Sequence, residues 1–296
     1  MKSINEINRN LDAVQQTRHI TNAMYMLSVT AMRRGMTQIE FNRQYMRDIC
    51  LAVKDILEKS PEVRNAFIHD ACTGKRDTAI LAFVSDKSLC GAYNHAVAAE
   101  VRRQIDKVTA DGRKAVVYTS GTKLEEILRG RGIGIYRSFD GASQTPSMHR
   151  AYEIAQEMID IFRSGSVQDI YVLFTGYRSA TEQPVLCQRL LPLAVENFQN
   201  VALHRPYAAR MTYEPSEEAV YEKLVPEYLQ GFLYGCICSA YVCENLARMT
   251  AMQSATHNAD EMLKSLETAY NTARQQIITS ELTEIAAATE LMNKAI

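Results

Sequence analysis

Apolar and small residues recur at alternating intervals of three and four along residues 246–284, at Met249, Met252, Ala259, Leu263, Leu266, Tyr270, Ala273 and Ile277, with Thr256 the one polar member of the series. That alternation is one seam of a coiled coil. The stretch holds no proline and no glycine, so the pattern predicts an uninterrupted helix that needs a partner. The same repeat runs near the other end of the chain, through Ile4, Ile7, Leu11, Val14, Met32, Ile39, Met46, Ile49, Val53 and Ile56, and turns polar or small between Arg18 and Ser28. Each seam offers the other its cover. A helix of roughly fifty residues is on the order of 80 Å long and projects beyond any single domain of this size.

Between these arms the punctuation changes. All seven prolines lie from Pro61 to Pro226, and of the thirteen glycines all but Gly35, Gly231 and Gly235 fall between them. Apolar runs at 79–84, 114–119 and 169–175 predict strands, followed by an extended segment at 184–193; residues 93–108, 123–129 and 147–163 predict helices. Strands alternating with helices indicate an α/β layer with a mainly parallel sheet. The expected organisation is a coiled-coil helix over residues 1–60, a Rossmann-like α/β body over 75–210 and a second coiled-coil helix over 213–296, the two helices pairing antiparallel as one rod.

Composition narrows the function. With 296 residues, 47% of them hydrophobic, and a net charge of −1, the chain has a sizeable core and no global attraction to nucleic acid or anionic lipid. No window reaches the roughly 20 apolar residues of a membrane span, and the N-terminus starts an amphipathic pattern at once instead of a secretory signal, so residence in a cytoplasm is expected. Cys50, Cys72, Cys90, Cys187, Cys236, Cys238 and Cys243 have no repeated metal-ligand spacing and read as buried thiols. His19, His69, His95, His149, His204 and His257 are far apart, none beside a nucleophile pattern. No catalytic residue, cofactor or metal is expected of this chain.

Three stretches carry more specific signals. Residues 85–94 follow the first strand, where open α/β sheets bind ligands, but lack the glycine spacing of a phosphate loop; a helix cap and turn competes with a nucleotide site there. The glycine-rich residues 130–134 read as a turn. Along 18–47, Arg18, Arg33, Arg34, Arg43 and Arg47 alternate with Met24, Met26, Met32, Met36 and Met46 against the single acid Glu40. That pattern reads as a solvated arginine face, as a protein contact made by guanidinium forks and adaptable thioethers, or as a nucleic-acid arm, although it lacks lysine and has few aromatics for base stacking; protein contact is the favoured reading. From Ile277 onward Lys294 is the only basic residue, and the small-residue run at Ala286, Ala287 and Ala288 suits a tip enclosed by other subunits or a frayed end.

The last arm also holds two denser motifs, Arg248-Met249-Thr250-Ala251-Met252-Gln253-Ser254-Ala255-Thr256-His257-Asn258-Ala259 and Arg274-Gln275-Gln276-Ile277-Ile278-Thr279-Ser280-Glu281. They resemble those of the γ subunit of F-type ATP synthases. Ile20-Thr21-Asn22-Ala23-Met24-Tyr25-Met26, the Ser85-Asp86 to Asn94 loop and Tyr213-Glu214-Pro215 are similar to that family's other signatures, so the resemblance spans the chain. It departs at Asn22 and Ala31, where lysine is common, at Ser88 and Ala92, where glycine is common, and after Ile285, where a glycine-containing ending is usual.

The resemblance implies a central rotor shaft coupling transmembrane proton or sodium flow to ATP synthesis or hydrolysis. Its expected partners are a hexamer of alpha and beta subunits, the epsilon subunit and a membrane c ring, at the cytoplasmic face of the membrane. Met24, Arg33, Arg34, Arg248, Gln275, Thr279 and Glu281 would be rotor–stator contacts, and Ser85, Asp86, Tyr213 and Glu214 foot and loop contacts. Arg248→Ala with Gln275→Ala is then expected to lower coupled turnover without unfolding the subunit. The shaft requires the segments around Ile20 and around Arg274 to be paired. The competing class is a coiled-coil binding scaffold with a non-catalytic α/β body, which a self-sufficient homodimer would favour.

Overall fold

The computed structural model describes residues 4–59, 67, 76–130, 132–139, 146–193 and 212–294. His69, Cys72, Arg131, His204 and the 194–210 end of the expected body lie outside the described residues. The elements are α1 (Ile4–Lys59), β1 (Asp77–Phe83), α2 (Tyr93–Ala110), β2 (Ala115–Ser120), α3 (Lys123–Arg129), β3 (Arg137–Phe139), α4 (Met148–Arg163), β4 (Val167–Thr175), β5 (Val185–Leu191) and α5 (Glu217–Lys294). They separate into two compact units, residues 1–28 with 249–296 and residues 29–248; α1 and α5 supply residues to both.

In the unit of residues 29–248, five strands form one sheet in the order β3-β2-β1-β4-β5, parallel except for the antiparallel edge strand β5. The run 79–84 has no polar alternation because both faces of β1 are covered, as parallel sheets require. On one face Ala79, Leu81 and Phe83 pack with Ile154 and Met158 of α4, with Val53 and Ile56 of α1, and with Tyr221, Leu229 and Leu233 of α5. On the other, Ile80, Ala82 and Val84 meet Val97 and Val101 of α2 and Leu124 and Leu128 of α3. The long helices therefore form part of the body's own core.

The helix pair is antiparallel. In this unit Gly35 of α1 faces Val242, the Asn42 side-chain amide donates to the Gly231 carbonyl at 3.0 Å and the Tyr45 hydroxyl donates to Glu227 at 2.9 Å, so α5 numbers fall as α1 numbers rise; just before α5, the Tyr213 hydroxyl donates to the buried Asp55 at 2.8 Å. Glycine is needed at position 35: a Cβ there would sit 2.7 Å from Val242 Cγ2 and 3.0 Å from Tyr241 Cδ1. The two backbones approach more closely than larger residues permit. Pro226 lies inside α5, where it removes one helix hydrogen bond. Burial of Tyr221, Val225, Tyr228 and Leu229 around it carries the helix through.

In the other unit the Thr21 and Thr256 hydroxyls lie 2.8 Å apart and Arg18 pairs with Asp260. The pairing demanded of the Ile20 region is present, but its partner level is Thr256; Arg274 lies further along α5 and is exposed. Between Arg18 and Ser28, where the seam turns polar or small, it stays buried. Ile7, Val14, Thr21, Ser28, Gly35, Asn42 and Ile49, seven apart along α1, are all buried or half-buried. Thr21 and Ser28 tolerate burial because their hydroxyls donate to the Arg18 and Met24 carbonyls, at 3.0 and 2.8 Å. On α5, Met249 through Ala273 of the expected seam are buried or half-buried, whereas Ile277 is 47% exposed.

Candidate functional site

Strand order places β1 between β2 and β4, so the crevice at its carboxyl end is a topological switch point, the usual ligand position in an open α/β sheet. Here the chain fills it with its own helix. The Ser239 hydroxyl of α5 donates to the Thr175 carbonyl at the end of β4 and accepts from the Tyr177 amide, both at 2.9 Å. The Cys243 thiol reaches the same carbonyl at 3.5 Å, and the Tyr93 hydroxyl donates to the Ala240 carbonyl at 3.3 Å. Cys90, Tyr93 and Cys243 close the gap as a small apolar cluster. Of the two alternatives for residues 85–94, the cap and turn is the one the geometry supports.

The loop is internally braced. Asn94 accepts from the Ser85 amide at 3.1 Å, and its own amide donates to the Ser85 hydroxyl at 2.7 Å and to the Cys90 sulfur at 3.3 Å. Asp86 accepts from the Thr122 amide at 3.0 Å, and the Ser85 carbonyl from the Lys123 amide at 3.2 Å, which ties the loop to the start of α3. The positive-φ positions are Leu89 (φ 66°) and Gly91 (φ 57°), whereas Ala92 caps α2 at φ −83°, where a side chain is tolerated. Leu89 combines this uncommon conformation with 57% exposure, so the brace presents an apolar side chain to solvent. Asn94→Ala leaves the buried Ser85 amide without its partner and is expected to destabilise the chain by about 1–3 kcal/mol, read by urea denaturation. An unchanged midpoint would show the brace to be dispensable.

One turn further along α5 lies Arg248, which is buried. Its Nη2 donates to Glu244 Oε1 at 2.5 Å and its Nη1 to Asn245 Oδ1 at 3.3 Å. Burial pushes the Glu244 carboxyl up from its ordinary value, while the Arg248 charge pulls it down; Asp86 adds to the rise and Lys87 opposes it. Tyr241 beside them is also raised, chiefly by burial, with Glu244 adding and Arg34 and Arg248 opposing. The fold thus gathers α1, the β1 loop and α5 around this ion pair. Glu244 and Asn245 escaped the sequence reading, although an acid four residues before an arginine on a helix is itself a pairing signal.

The remaining expected contacts differ in presentation. Arg33, Arg34, Gln275, Thr279, Glu281 and Glu214 are exposed, Met24, Asp86 and Tyr213 are half-buried, and Ser85 is fully buried. Ser85 therefore acts on the loop's shape. Beyond Ala273, Ile277, Ile278, Leu282 and Ile285 are 44–63% exposed. Large apolar side chains clustered on so short a stretch mark a contact surface. Among the described residues no helix is long and apolar enough to cross a membrane, and no three His, Cys, Asp or Glu side chains gather as a metal-binding set.

A sequence model of the family described as ATP synthase matches residues 3–292. The ATP synthase gamma chain of Caldanaerobacter subterraneus subsp. tengcongensis is 32% identical over 286 residues, covering 93% of this chain and 95% of the relative. The sodium ion specific ATP synthase gamma chain of Acetobacterium woodii is 30% identical over 306 residues, covering 99% of each. Among solved structures, a chain of the Euglena gracilis mitochondrial ATP synthase in rotational state 3 superposes with a TM-score of 0.64 at 14% identity, over 98% of this chain and 94% of the other, a likeness of fold.

Proposed function

This chain belongs to the ATP synthase family, among its gamma chains, and from that membership we propose that it is the central rotor shaft of a rotary F-type enzyme. It couples transmembrane proton or sodium flow to ATP synthesis or hydrolysis in a surrounding hexamer of alpha and beta subunits. The chain supplies torque and no catalytic group, and bond making belongs to the hexamer. Its foot and α/β body bear on the epsilon subunit and the membrane c ring, at the cytoplasmic face of the membrane. The two terminal arms act together as the shaft.

The single observation that carries this reading is the tip of α5. Past Ala273 the seam gives way to exposed Ile277, Ile278, Leu282 and Ile285, interleaved with exposed Gln275, Thr279 and Glu281. Such a tip is suited to turning inside a sleeve of other subunits. Gln275, Thr279 and Glu281 touch stator loops, Met24, Arg33 and Arg34 meet the moving parts of the hexamer, and Arg248 adds a contact governed by its own ion pair. Tyr213, Glu214, Asp86 and the Ser85-shaped loop serve the foot. Exposed polar contacts are individually weak, which lets each be broken at every step of rotation. An asymmetric shaft favours different conformations of the three catalytic sites through differential contact.

The test is Gln275→Ala with Glu281→Gln in the complex reconstituted with alpha and beta subunits and with its membrane sector in vesicles. Because both positions are exposed, the isolated subunit keeps its unfolding midpoint. Ion-driven ATP synthesis falls about tenfold, the equivalent of ~1.4 kcal/mol of lost contact. Synthesis at the unmodified rate would remove these residues from the rotor–stator contact.

A further inference from the structure

Arg248 and Glu244 are 7% and 5% exposed, so the arginine offered to a stator is already bound to an acid of its own helix. Asn245 holds the second arm of the guanidinium. A guanidinium has five donors, so these two bonds orient Arg248 without exhausting it. We propose that Glu244 is a positioning residue for Arg248: it fixes the guanidinium on α5 and competes with any carboxylate that a stator subunit brings to it. This inference rests on Arg248 being a rotor–stator contact.

The competition follows from charge. An incoming carboxylate meets an arginine neutralised by Glu244, and the contact strengthens when Glu244 takes up a proton and leaves Arg248 as a net cation. The groups facing Glu244 set when that happens. From α5 these are Arg248 and Tyr241; from the loop after β1, Asp86 and Lys87; from α2, Tyr93, on which Cys243 and Cys90 also act; and from α1, Arg34, which acts on Tyr241. Burial and Asp86 shift protonation of Glu244 toward neutral pH, Arg248 and Lys87 away from it. The upward influence is the larger, so the exchange takes place at a higher pH than an ordinary carboxylate would set.

The experiment uses the complex reconstituted with alpha and beta subunits and compares Glu244→Gln, Arg248→Gln and the double variant for ATP hydrolysis across the acid-to-neutral range. The native complex is expected to show an inflection in its pH–rate profile that Glu244→Gln lacks. Arg248→Gln lowers the rate about fivefold and the double variant falls no further, because Glu244 acts only through Arg248. Where Glu244→Gln does not assemble, Glu244→Asp keeps a carboxylate on a shorter arm that no longer reaches Arg248 as closely, so its inflection is expected at a different pH from the native one, and an unmoved inflection counts against the positioning role. Additive losses in the double variant, or an inflection that persists without the carboxylate, would overturn the positioning role while leaving Arg248 a contact. A full rate in Arg248→Gln would overturn both the contact and the role built on it.

Discussion

Arg248→Ala is expected to destabilise the isolated subunit by about 3–5 kcal/mol, because it strands the buried Glu244 carboxylate without its counter-ion. The sequence alone leads to the opposite expectation, that Arg248→Ala with Gln275→Ala spares folding, and the burial of Arg248 against Glu244 is what changes it. The loss depends on pH. Glu244 has a folded pKa raised above its unfolded value, so its contribution is fully present below the unfolded value and is lost as pH rises through the folded one. Removing Arg248 removes the downward pull and raises the folded value further. The variant is therefore weakest at neutral and alkaline pH and recovers on acidification. Replacing the pair together, Glu244→Leu with Arg248→Met, removes the stranded charge and should regain most of the loss. Urea titrations followed by circular dichroism at several pH values measure all three chains; an Arg248→Ala midpoint equal to the native one would show that the pair contributes nothing to folding.

Gly121→Ala is expected to cost about 2–5 kcal/mol, the sum of a strained backbone and an overpacked contact. Gly121 has φ 108°, and a Cβ built there lies 2.3 Å from the Val84 carbonyl oxygen, a backbone atom that cannot swing aside. The end of β2 must then lift from the end of β1. The Asp86 to Thr122 and Ser85 to Lys123 hydrogen bonds are the first to suffer, so hydrogen exchange at the Thr122 and Lys123 amides should accelerate before that of the sheet centre. Native-like protection of those amides, with an unchanged melting temperature, would mean that the turn accommodates a methyl group.

Much of the architecture was legible because periodicity is a local property. The heptads of α1 and α5 and the unbroken apolar run of β1 each record which faces are buried, and the observed bounds of α3 coincide with those expected. The departures have physical causes. Where the α1 seam turns polar or small between Arg18 and Ser28, the pattern alone leaves its packing open; Thr21 and Ser28 satisfy their hydroxyls on the helix's own carbonyls and stay buried. Pro226 and Gly231 look like helix breakers in isolation, but packing around Tyr221 and Leu229 outweighs one missing hydrogen bond, and Gly231 supplies the close approach to Met46 and Tyr45.

By itself, the sequence determined that two long helices with matching seams flank a parallel α/β layer, and its motifs placed the chain in a family. Those features depend on spacing along one strand of covalent chain. Only the tertiary structure decided that α5 fills the switch-point crevice through Ser239 and Cys243, and that Arg248 is buried against Glu244, with Asp86 and Lys87 of the loop after β1 near enough to act on that carboxyl. Whether a charged side chain faces solvent or a buried partner depends on segments remote in sequence, and burial, which only folding sets, decides what its charge costs.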